Sequence, residues 1–303
     1  MSTFFRALER AEQDRALRRP VAEPPSEPRP AVSASEASPS GVPQSVFTPP
    51  RAAPSKRDGA AVGLEEHLVS LLAPSSFEAE QYRVLRHMVE QLHRSTELSV
   101  IAVSSPDSGD GKTTTTINLA GSLAQAHDAR VLLVDADLRG ANLATHLGLD
   151  EHAEPGLVDA ILNANLTLEH VTQQHPHVNL SVITAGSRPS APYEVLKSPR
   201  VGELLEQARR KYDYIVIDTA PLVSVPDTRI IGKWVDGFLI VVAANRTPRR
   251  FLEETLNLME PAKIVGMVFN GDDRHVSRQT YTSRRQQRIR RNRTFTSQSA
   301  SNK

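Results

Sequence analysis

The sequence predicts an α/β fold built on a doubly wound, mostly parallel sheet. Two observations indicate this fold: strand-like and helix-like segments alternate, and the strand candidates are strongly apolar. Short apolar stretches alternate with polar stretches of helical length between positions 98 and 270. The strand candidates are rich in Val, Ile and Leu: Leu98–Val103, Arg130–Val134, Leu180–Thr184, Tyr214–Ile217, Phe238–Val242 and Lys263–Phe269. Such strands are typical of a parallel sheet that is covered on both faces. Ligands bind at the carboxyl ends of these strands, so the residues after each strand are the first candidates for a site.

The first strand candidate runs into a loop that has the closing half of the phosphate-binding pattern G-x-x-x-x-G-K-[ST]. Its glycines allow backbone N–H groups to approach phosphate oxygens. A lysine at this place supplies a cation to the β- and γ-phosphates, and the hydroxyl after it ligates Mg²⁺. The leading glycine of the pattern is replaced by Pro106. We therefore predict a P-loop NTPase with ATP and Mg²⁺ as cofactors and these nucleotide-binding residues: Gly109, Asp110, Gly111, Lys112, Thr113 and Thr114.

Acidic side chains follow two further strand candidates. Asp135 and Asp137 end one strand and are followed by Arg139, and Asp218 ends another. The carboxyl ends of parallel strands share one edge of the sheet, so we expect these acids near the phosphate loop. A guanidinium beside phosphate or carboxylate fixes geometry. We predict Thr113, Asp137 and Asp218 as metal ligands, and the following residues as the catalytic set: Lys112, Asp135, Asp137, Arg139 and Asp218.

Composition excludes several classes of protein. The 303 residues include no cysteine, which excludes disulfides, thiolate zinc sites and thiol nucleophiles. The N-terminus lacks the apolar region of a signal peptide. The longest strongly apolar run, Phe238 to Ala244, is too short to cross a bilayer. We expect a cytoplasmic protein that reaches the inner face of the plasma membrane through a partner.

Composition also divides the chain. Residues 1–19 are predicted to form a short amphipathic helix, and residues 20–62 a disordered linker rich in Pro, Ser and Ala. Residues 63–272 form the nucleotide-binding domain. Residues 273–303 are a basic, disordered tail in which Tyr281 is the single tyrosine. An acidic protein, phospholipid headgroups, RNA or plain solvation remain open for this tail, and we expect no sequence-specific nucleic-acid binding.

A helix precedes the first strand candidate. Ser75-Ser76-Phe77-Glu78 resembles a capping box at its start. An apolar stripe follows at helical spacing: Tyr82, Leu85, Val89 and Leu92. Another side carries a charged triplet in which each residue is three positions from the next: Glu80, Arg83 and Arg86. A triplet of this kind is usually a solvated helix face.

These motifs together resemble the bacterial tyrosine kinases (BY-kinases) of capsule and exopolysaccharide synthesis, of the cytoplasmic CpsD/CapB type. The resemblance covers roughly Phe77 to Gly271 and places the chain in the MinD/ParA-like superfamily. The family's Walker A, A′ and Walker B motifs correspond to Ser105–Thr114, Leu132–Arg139 and Ile215–Pro221. Further similar stretches are the triplet Glu80-x-x-Arg83-x-x-Arg86, the segment Gly186–Ser198 and the strand Gly266–Asn270.

The resemblance implies an ATP-dependent, non-specific protein-tyrosine kinase that phosphorylates itself and regulates polysaccharide chain length and export. It implies that Glu80, Arg83 and Arg86 pack subunits into a ring, that Asn270 contacts adenine, and that Tyr281 is the phosphoacceptor. It further implies a separate membrane polysaccharide co-polymerase (chain-length determinant protein) as activator, and a phosphotyrosine phosphatase. Asp135 is our first candidate for the base that removes the tyrosine proton, and Asp137 the second.

Two alternatives stay open at this point. One is a MinD/ParA-like ATPase switch, which would hydrolyse ATP without phosphorylating tyrosine. The signature lysine of that group is replaced by Asp107. The other is a catalytically weak ATP-binding scaffold of an export complex, which the low tyrosine content of the tail favours.

Overall fold

The computed structural model describes residues 64–150 and 155–271. The predicted helix at 1–19, the linker at 20–62 and the tail at 273–303 lie outside these residues, and Tyr281 lies outside them too.

The strands are β1 Val100–Ser104, β2 Val131–Asp135, β3 Gln173–Gln174, β4 Ser181–Ile183, β5 Tyr214–Asp218, β6 Gly237–Ala243 and β7 Ile264–Asn270. They form one seven-stranded sheet in the order β3-β4-β2-β5-β1-β6-β7. All neighbours are parallel except β3, which is antiparallel to β4. The predicted fold class is confirmed, and every predicted strand is present. The sequence did not predict β3, because its two polar residues lie at the sheet edge and carry no apolar pattern.

The helices are α1 Val69–Leu72, α2 Phe77–Thr96, α3 Lys112–Ala124, α4 Leu143–His146, α5 Leu157–Leu162, α6 Leu168–Val171, α7 Pro192–Lys197, α8 Arg200–Arg209, α9 Asp227–Ile231 and α10 Arg249–Asn257. A 3₁₀ turn at Pro261–Lys263 precedes β7. None of the helices within the described ranges combines the length and apolar composition that crossing a membrane requires.

Two apolar cores cover the two faces of the sheet. Ile101 and Leu133 point to a core that includes residues of α2 and α3, such as Val89 and Ile117. Their chain neighbours face the other core, to which α5, α7 and α8 contribute. Alternate residues of one strand therefore enter opposite cores, as the period of a strand requires. The continuous apolar runs of the sequence follow from burial on both faces.

The N-cap of α2 differs from the predicted one by one residue. The Ser76 hydroxyl accepts a hydrogen bond from the Ala79 N–H at 3.0 Å, so Ser76 is the N-cap and Ser75 precedes it. The capping box expected from Ser75 to Glu78 is therefore wrong, because the residue three positions after the observed N-cap is Ala79, which has no side-chain acceptor to complete the box. The predicted stripe does face the protein: Val89 is buried, and Leu85 and Leu92 pack partly against the core.

The sheet order brings three strand ends together. β5 lies between β1 and β2, and Asp218 pairs in register with Asp135 across the β5–β2 ladder. The same Asp218 is in register with Val103 of β1, directly before the P-loop. The topology thus places the loop after β1 and the acids after β2 and β5 at one edge.

Candidate active site

The loop between β1 and α3 needs glycine at two positions. Gly109 and Gly111 have φ angles of 79° and 90°, in the left-handed region that favours glycine. A Cβ on Gly111 would also collide with the Asn270 side-chain amide. Helix α3 begins at Lys112, so the N–H groups of its first turn have no intrahelical acceptor and lie beside the loop. This arrangement suits an anion such as phosphate.

The carboxylate of Asp110 holds the loop in shape. It is buried and accepts hydrogen bonds from the Thr247 hydroxyl at 2.7 Å and from the Asp107 N–H at 3.2 Å. The Asn270 amide donates to the Asp110 carbonyl at 3.0 Å. These bonds tie the loop to the ends of β6 and β7. The sequence placed Asp110 among the nucleotide-binding residues, and this role of its side chain was missed because its partners are far away in the chain.

Lys112 lies among the acids. Its Nζ is 2.6 Å from Asp137 Oδ2 and 3.5 Å from the Thr113 hydroxyl. Burial lowers the pKa of Lys112, but the negative charges of Asp218 and Asp137 outweigh this and raise the pKa above its ordinary value. Lys112 is therefore a permanent cation at neutral pH, as its predicted role requires.

Asp218 bonds the hydroxyls of α3. The Thr113 hydroxyl donates to Asp218 Oδ2 at 2.6 Å, and the Thr116 hydroxyl lies 3.2 Å from Oδ1. Burial raises the pKa of Asp218, while the Lys112 charge and these hydroxyls oppose the rise. The site thus contains a buried carboxylate beside the hydroxyl that was predicted to ligate the metal.

Asp135 organises the loop after β2. Its two oxygens accept from the Asp137 N–H at 3.1 Å and from the Leu143 N–H at 3.3 Å. Asp137 in turn accepts from the Gly140 N–H at 3.0 Å. Burial, followed by the charges of Asp218 and Asp137, raises the pKa of Asp135 well above its ordinary value. Asp135 and Asp218 therefore lie in a region of excess negative charge.

The donor set fits Mg²⁺. Thr113, Asp137 and Asp218 offer the oxygen ligands that this hard cation prefers. Among the described residues no three His, Cys, Asp or Glu side chains group closely enough to hold a metal ion. An ion at Thr113 and Asp218 would thus complete its shell with phosphate and water, which is how Mg²⁺ is usually bound. The raised pKa values of Asp135 and Asp218 fit a site that favours a divalent cation.

Arg139 pairs with a residue that the sequence did not indicate. Its Nε and Nη2 donate to the two carboxylate oxygens of Asp227 at 2.7 and 3.2 Å. Asp227 is buried at the start of α9, whereas the Arg139 side chain is partly exposed. The sequence assigned Arg139 to the catalytic set, and the structure places its guanidinium on this carboxylate. No motif surrounds Asp227, so only the fold could reveal it.

A second cation lies on the opposite side of the P-loop. The guanidinium of Arg246 lies against Gly109, where a Cβ on that glycine would meet it. Arg246 forms no ion pair with any residue of the two described ranges. Its loop is fixed because the Thr247 hydroxyl accepts from the Ala243 N–H at 2.9 Å. The sequence analysis missed Arg246, which has no motif signal.

The charged triplet on α2 divides into two parts. Glu80 and Arg83 are bonded to each other at the surface, and Arg83 also donates to the Pro74 carbonyl. Arg86 instead turns inward, with Nε 2.6 Å from Glu90 and Nη1 2.9 Å from the Ser122 carbonyl of α3. Arg86 therefore joins α2 to α3 within one subunit, and Glu80 and Arg83 remain available at the surface.

Comparisons with known proteins agree with these features. A family model described as an AAA domain matches residues 98–259. The chain is 30% identical to the tyrosine-protein kinase YwqD of Bacillus subtilis over 210 residues, which cover 69% of this chain and 87% of YwqD. It is 32% identical to the succinoglycan biosynthesis transport protein ExoP of Rhizobium meliloti over 212 residues, 66% of this chain but only 26% of ExoP.

A solved structure has the same architecture. The kinase domain of the Escherichia coli tyrosine kinase ETK superposes with a TM-score of 0.63 at 28% identity, covering 69% of this chain and 82% of that domain. Together with the similarity to nearly the whole of YwqD, this confirms the family that the motifs predicted. The chain belongs to the family of bacterial tyrosine-protein kinases.

Proposed function

We propose that this chain binds Mg²⁺ and ATP at the P-loop and transfers the γ-phosphoryl group to tyrosine hydroxyls, including one of its own. The observation that carries the proposal is the paired arrangement at the sheet edge. Thr113 bonds Asp218 and Lys112 bonds Asp137, within hydrogen-bonding distance in each case. The relatives named tyrosine kinases support tyrosine as the acceptor.

Phosphoryl transfer needs positioning and charge neutralisation more than covalent chemistry. Lys112 would leave Asp137 for the phosphates, where its charge and the N–H groups of Gly109 to Thr114 draw electron density from the transferring group. Thr113, Asp137 and Asp218 would hold Mg²⁺, whose chemistry in such sites is to neutralise the phosphate charge. Asp135 would accept the proton of the tyrosine hydroxyl, whose ordinary pKa is about 10.

The cellular role that we propose is control of exopolysaccharide chain length and export. The support is the similarity to ExoP, which is named a succinoglycan biosynthesis transport protein. In this proposal a separate membrane protein of polysaccharide assembly activates the chain and holds it at the inner face of the plasma membrane. Subunits assemble through the triplet Glu80, Arg83 and Arg86, in which Glu80 and Arg83 offer the exposed contacts and Arg86 holds the helix in place. Tyr281 of one subunit enters the site of another. A phosphotyrosine phosphatase reverses the reaction.

The test uses the full chain with Mg²⁺ and ATP, and measures phosphotyrosine by antibody and free phosphate in the same sample. Lys112→Met should lose phosphotyrosine by on the order of a hundredfold or more, because the charge at the transferring group is lost. Lys233→Met, which changes an exposed lysine of the same chain, is the matched control and should keep it.

The outcomes separate the alternatives. Free phosphate without phosphotyrosine in the unmodified chain would favour the ATPase switch, and neither product would favour the scaffold. Undiminished phosphotyrosine in Lys112→Met would remove Lys112 from the mechanism. Mapping the modified residues by mass spectrometry tests the acceptor, since modification at Tyr193 or Tyr212 instead of Tyr281 would contradict the tail assignment.

A further inference from the structure

Thr116 lies in α3 three residues after Thr113 and outside the P-loop motif. Residues three apart on a helix are neighbours on its surface, so both hydroxyls can reach the same carboxylate. The Thr113 hydroxyl donates to Asp218 Oδ2 at 2.6 Å, and the Thr116 hydroxyl donates to Oδ1 at 3.2 Å. The two oxygens of the carboxylate that ends β5 are thus held by two different side chains of α3.

The Thr116 hydroxyl is itself fixed in place. Thr116 is fully buried, and its hydroxyl also donates to the Lys112 carbonyl oxygen at 2.7 Å. A hydroxyl has one proton, so the two acceptors share it. A bond from a threonine to the carbonyl four residues earlier is common in helices and indicates only a structural role by itself. The contact with Asp218 is what distinguishes Thr116 from such a residue.

The orientation of the Asp218 carboxylate depends on this contact. Asp218 is buried, and within residues 64–150 and 155–271 the Thr116 hydroxyl is the one hydrogen-bond donor to Oδ1. The torsion between Cβ and a carboxylate carbon has a broad energy minimum. Without the bond at Oδ1 the carboxylate can rotate, and Oδ2 then turns away from the Thr113 hydroxyl. Thr113 and Asp218 are both expected to ligate Mg²⁺, and this ion demands near-ideal ligand geometry.

The preceding threonine offers a comparison within the same helix. Thr115 is as buried as Thr116, but its hydroxyl lies beside the Tyr82 hydroxyl of α2. Successive residues of a helix point about 100° apart, so Thr115 lies on a different side of α3 from the Asp218 contact. The same substitution at each position therefore separates the effect of that contact from the effect of burial.

We propose that Thr116 is a positioning residue for the metal site. Its hydroxyl holds Asp218 Oδ1, and this keeps Oδ2 beside the Thr113 hydroxyl, where both are needed as ligands of Mg²⁺. Thr116 touches neither the nucleotide nor the ion and acts through Asp218. It sets the affinity for Mg²⁺, whereas the P-loop holds the phosphates. This inference rests on the proposed function, because it concerns Mg²⁺ that binds together with the nucleotide.

The test measures how nucleotide binding by the full chain depends on Mg²⁺. A fluorescent ADP analogue is titrated in the presence of a chelator and then at rising Mg²⁺ concentrations, which gives the Mg²⁺ concentration at half of the gain in affinity. Thr116→Val replaces the hydroxyl by a methyl group, Thr116→Ala removes it, and Thr116→Ser keeps it. Thr115→Val is the matched control. The thermal midpoint of each variant shows whether it is folded, and Thr116→Ala decides where Thr116→Val is not.

Thr116→Val and Thr116→Ala should raise the half-saturating Mg²⁺ concentration about tenfold, the order expected from losing one hydrogen bond to a charged group. Their affinity for the analogue in chelator should stay unchanged. Thr116→Ser and Thr115→Val should match the unmodified chain in both quantities. Phosphotyrosine formation by Thr116→Val should fall at limiting Mg²⁺ and recover at high Mg²⁺, which a general loss of structure would not allow.

An unchanged half-saturating Mg²⁺ concentration in Thr116→Ala would overturn the positioning role. Equal rises in Thr116→Val and Thr115→Val would also overturn it, since the effect would then come from the packing of α3. Mg²⁺-dependent binding of the analogue without any phosphotyrosine in the unmodified chain would overturn the kinase function and leave the role of Thr116 standing. Binding that does not respond to Mg²⁺ in the unmodified chain would overturn the proposed function itself.

Discussion

Arg246 lies next to the P-loop but outside the sequence motif that predicted the nucleotide site. Its guanidinium lies against Gly109 without an acidic partner in the described ranges, on a loop that Thr247 fastens to Asp110. An unpaired cation on the rim of a phosphate-binding loop is placed to contact a bound anion. Arg246 is therefore our candidate for a further nucleotide contact, on the β6 and β7 side of the P-loop.

We predict that Arg246→Ala weakens the binding of ADP about tenfold, the order expected from one charge-assisted contact. The loss should be smaller at high salt, since exposed charge interactions are screened. Titration with a fluorescent ADP analogue at two salt concentrations measures both effects. Arg250→Ala is the matched control, because the Arg250 guanidinium lies 5.0 Å from the Phe251 ring on α10. Equal losses in the two variants would show that Arg246 acts only through general surface charge.

The sequence could select those site candidates whose pattern lies in consecutive positions. Lys112 and Thr113 belong to one continuous motif, and Asp218 ends an apolar strand, so a linear pattern was sufficient to select them. Asp227 and Arg246 act through contacts with residues far away in the chain. Their selection required the folded arrangement of α9 and of the loop after β6, which no local pattern specifies.

At the scale of the elements, Asp236 joins three of them at the edge of the sheet opposite to the site. One carboxylate oxygen accepts from the N–H groups of Ser99 and Val100 at 2.8 and 2.7 Å. Arg209 of α8 donates to both oxygens at 2.8 and 2.7 Å. Asp236, the residue directly before β6, therefore connects the start of β1 to α8.

We predict that Asp236→Ala lowers the free energy of unfolding by about 1–3 kcal/mol at neutral pH, because two backbone donors and a guanidinium lose their acceptor. Burial raises the pKa of Asp236, but Arg209 and the two N–H groups outweigh it and lower the pKa. A carboxylate whose folded pKa lies below its unfolded value of ~3.9 stabilises the fold above that value and loses the contribution as pH falls.

Denaturant titrations of Asp236→Ala between neutral and acidic pH measure this contribution. The difference from the unmodified chain should shrink as pH falls through the folded pKa of Asp236. Asp128→Ala, at an exposed carboxylate, serves as the control and should change little at any pH. A difference that stays constant down to acidic pH would mean that the side chain acts by packing and not by charge.

The elements themselves could be predicted to different degrees. Strands β1, β2, β5 and β6 are buried along their whole length, so an apolar run marks each of them. The N-cap of α2 was misplaced by one residue because two consecutive serines offer equivalent hydroxyls. Only the local backbone conformation decides which of these hydroxyls reaches an N–H group.

At the scale of the whole molecule, the triplet on α2 is expected to stabilise the fold of its own subunit and also to contact a neighbouring subunit. Arg86 bonds the Ser122 carbonyl of its own α3, whereas Arg83 lies at the surface with Glu80. We predict that Arg86→Ala lowers the thermal midpoint and that Arg83→Ala reduces self-association with an unchanged midpoint. Sedimentation velocity and thermal unfolding of the same samples separate the effects. Intact assembly in Arg83→Ala would exclude this arginine from the subunit contact.

The free energy of unfolding should also depend on whether Mg²⁺ and ATP neutralise the carboxylates at the carboxyl ends of the strands. Asp135 and Asp218 both have raised pKa values, so their ionised forms are unfavourable in the protein without ligand. We predict that Mg²⁺ and ATP at about a hundredfold excess over the dissociation constant stabilise the fold by about 2.7 kcal/mol. Chelation of Mg²⁺ should remove part of this gain.

In Asp218→Asn the gain from ATP should no longer respond to Mg²⁺, because the carboxylate beside the Thr113 hydroxyl is absent. Thermal unfolding with ATP, with and without chelator, measures this, and an equal response to Mg²⁺ in both chains would exclude Asp218 as a metal ligand.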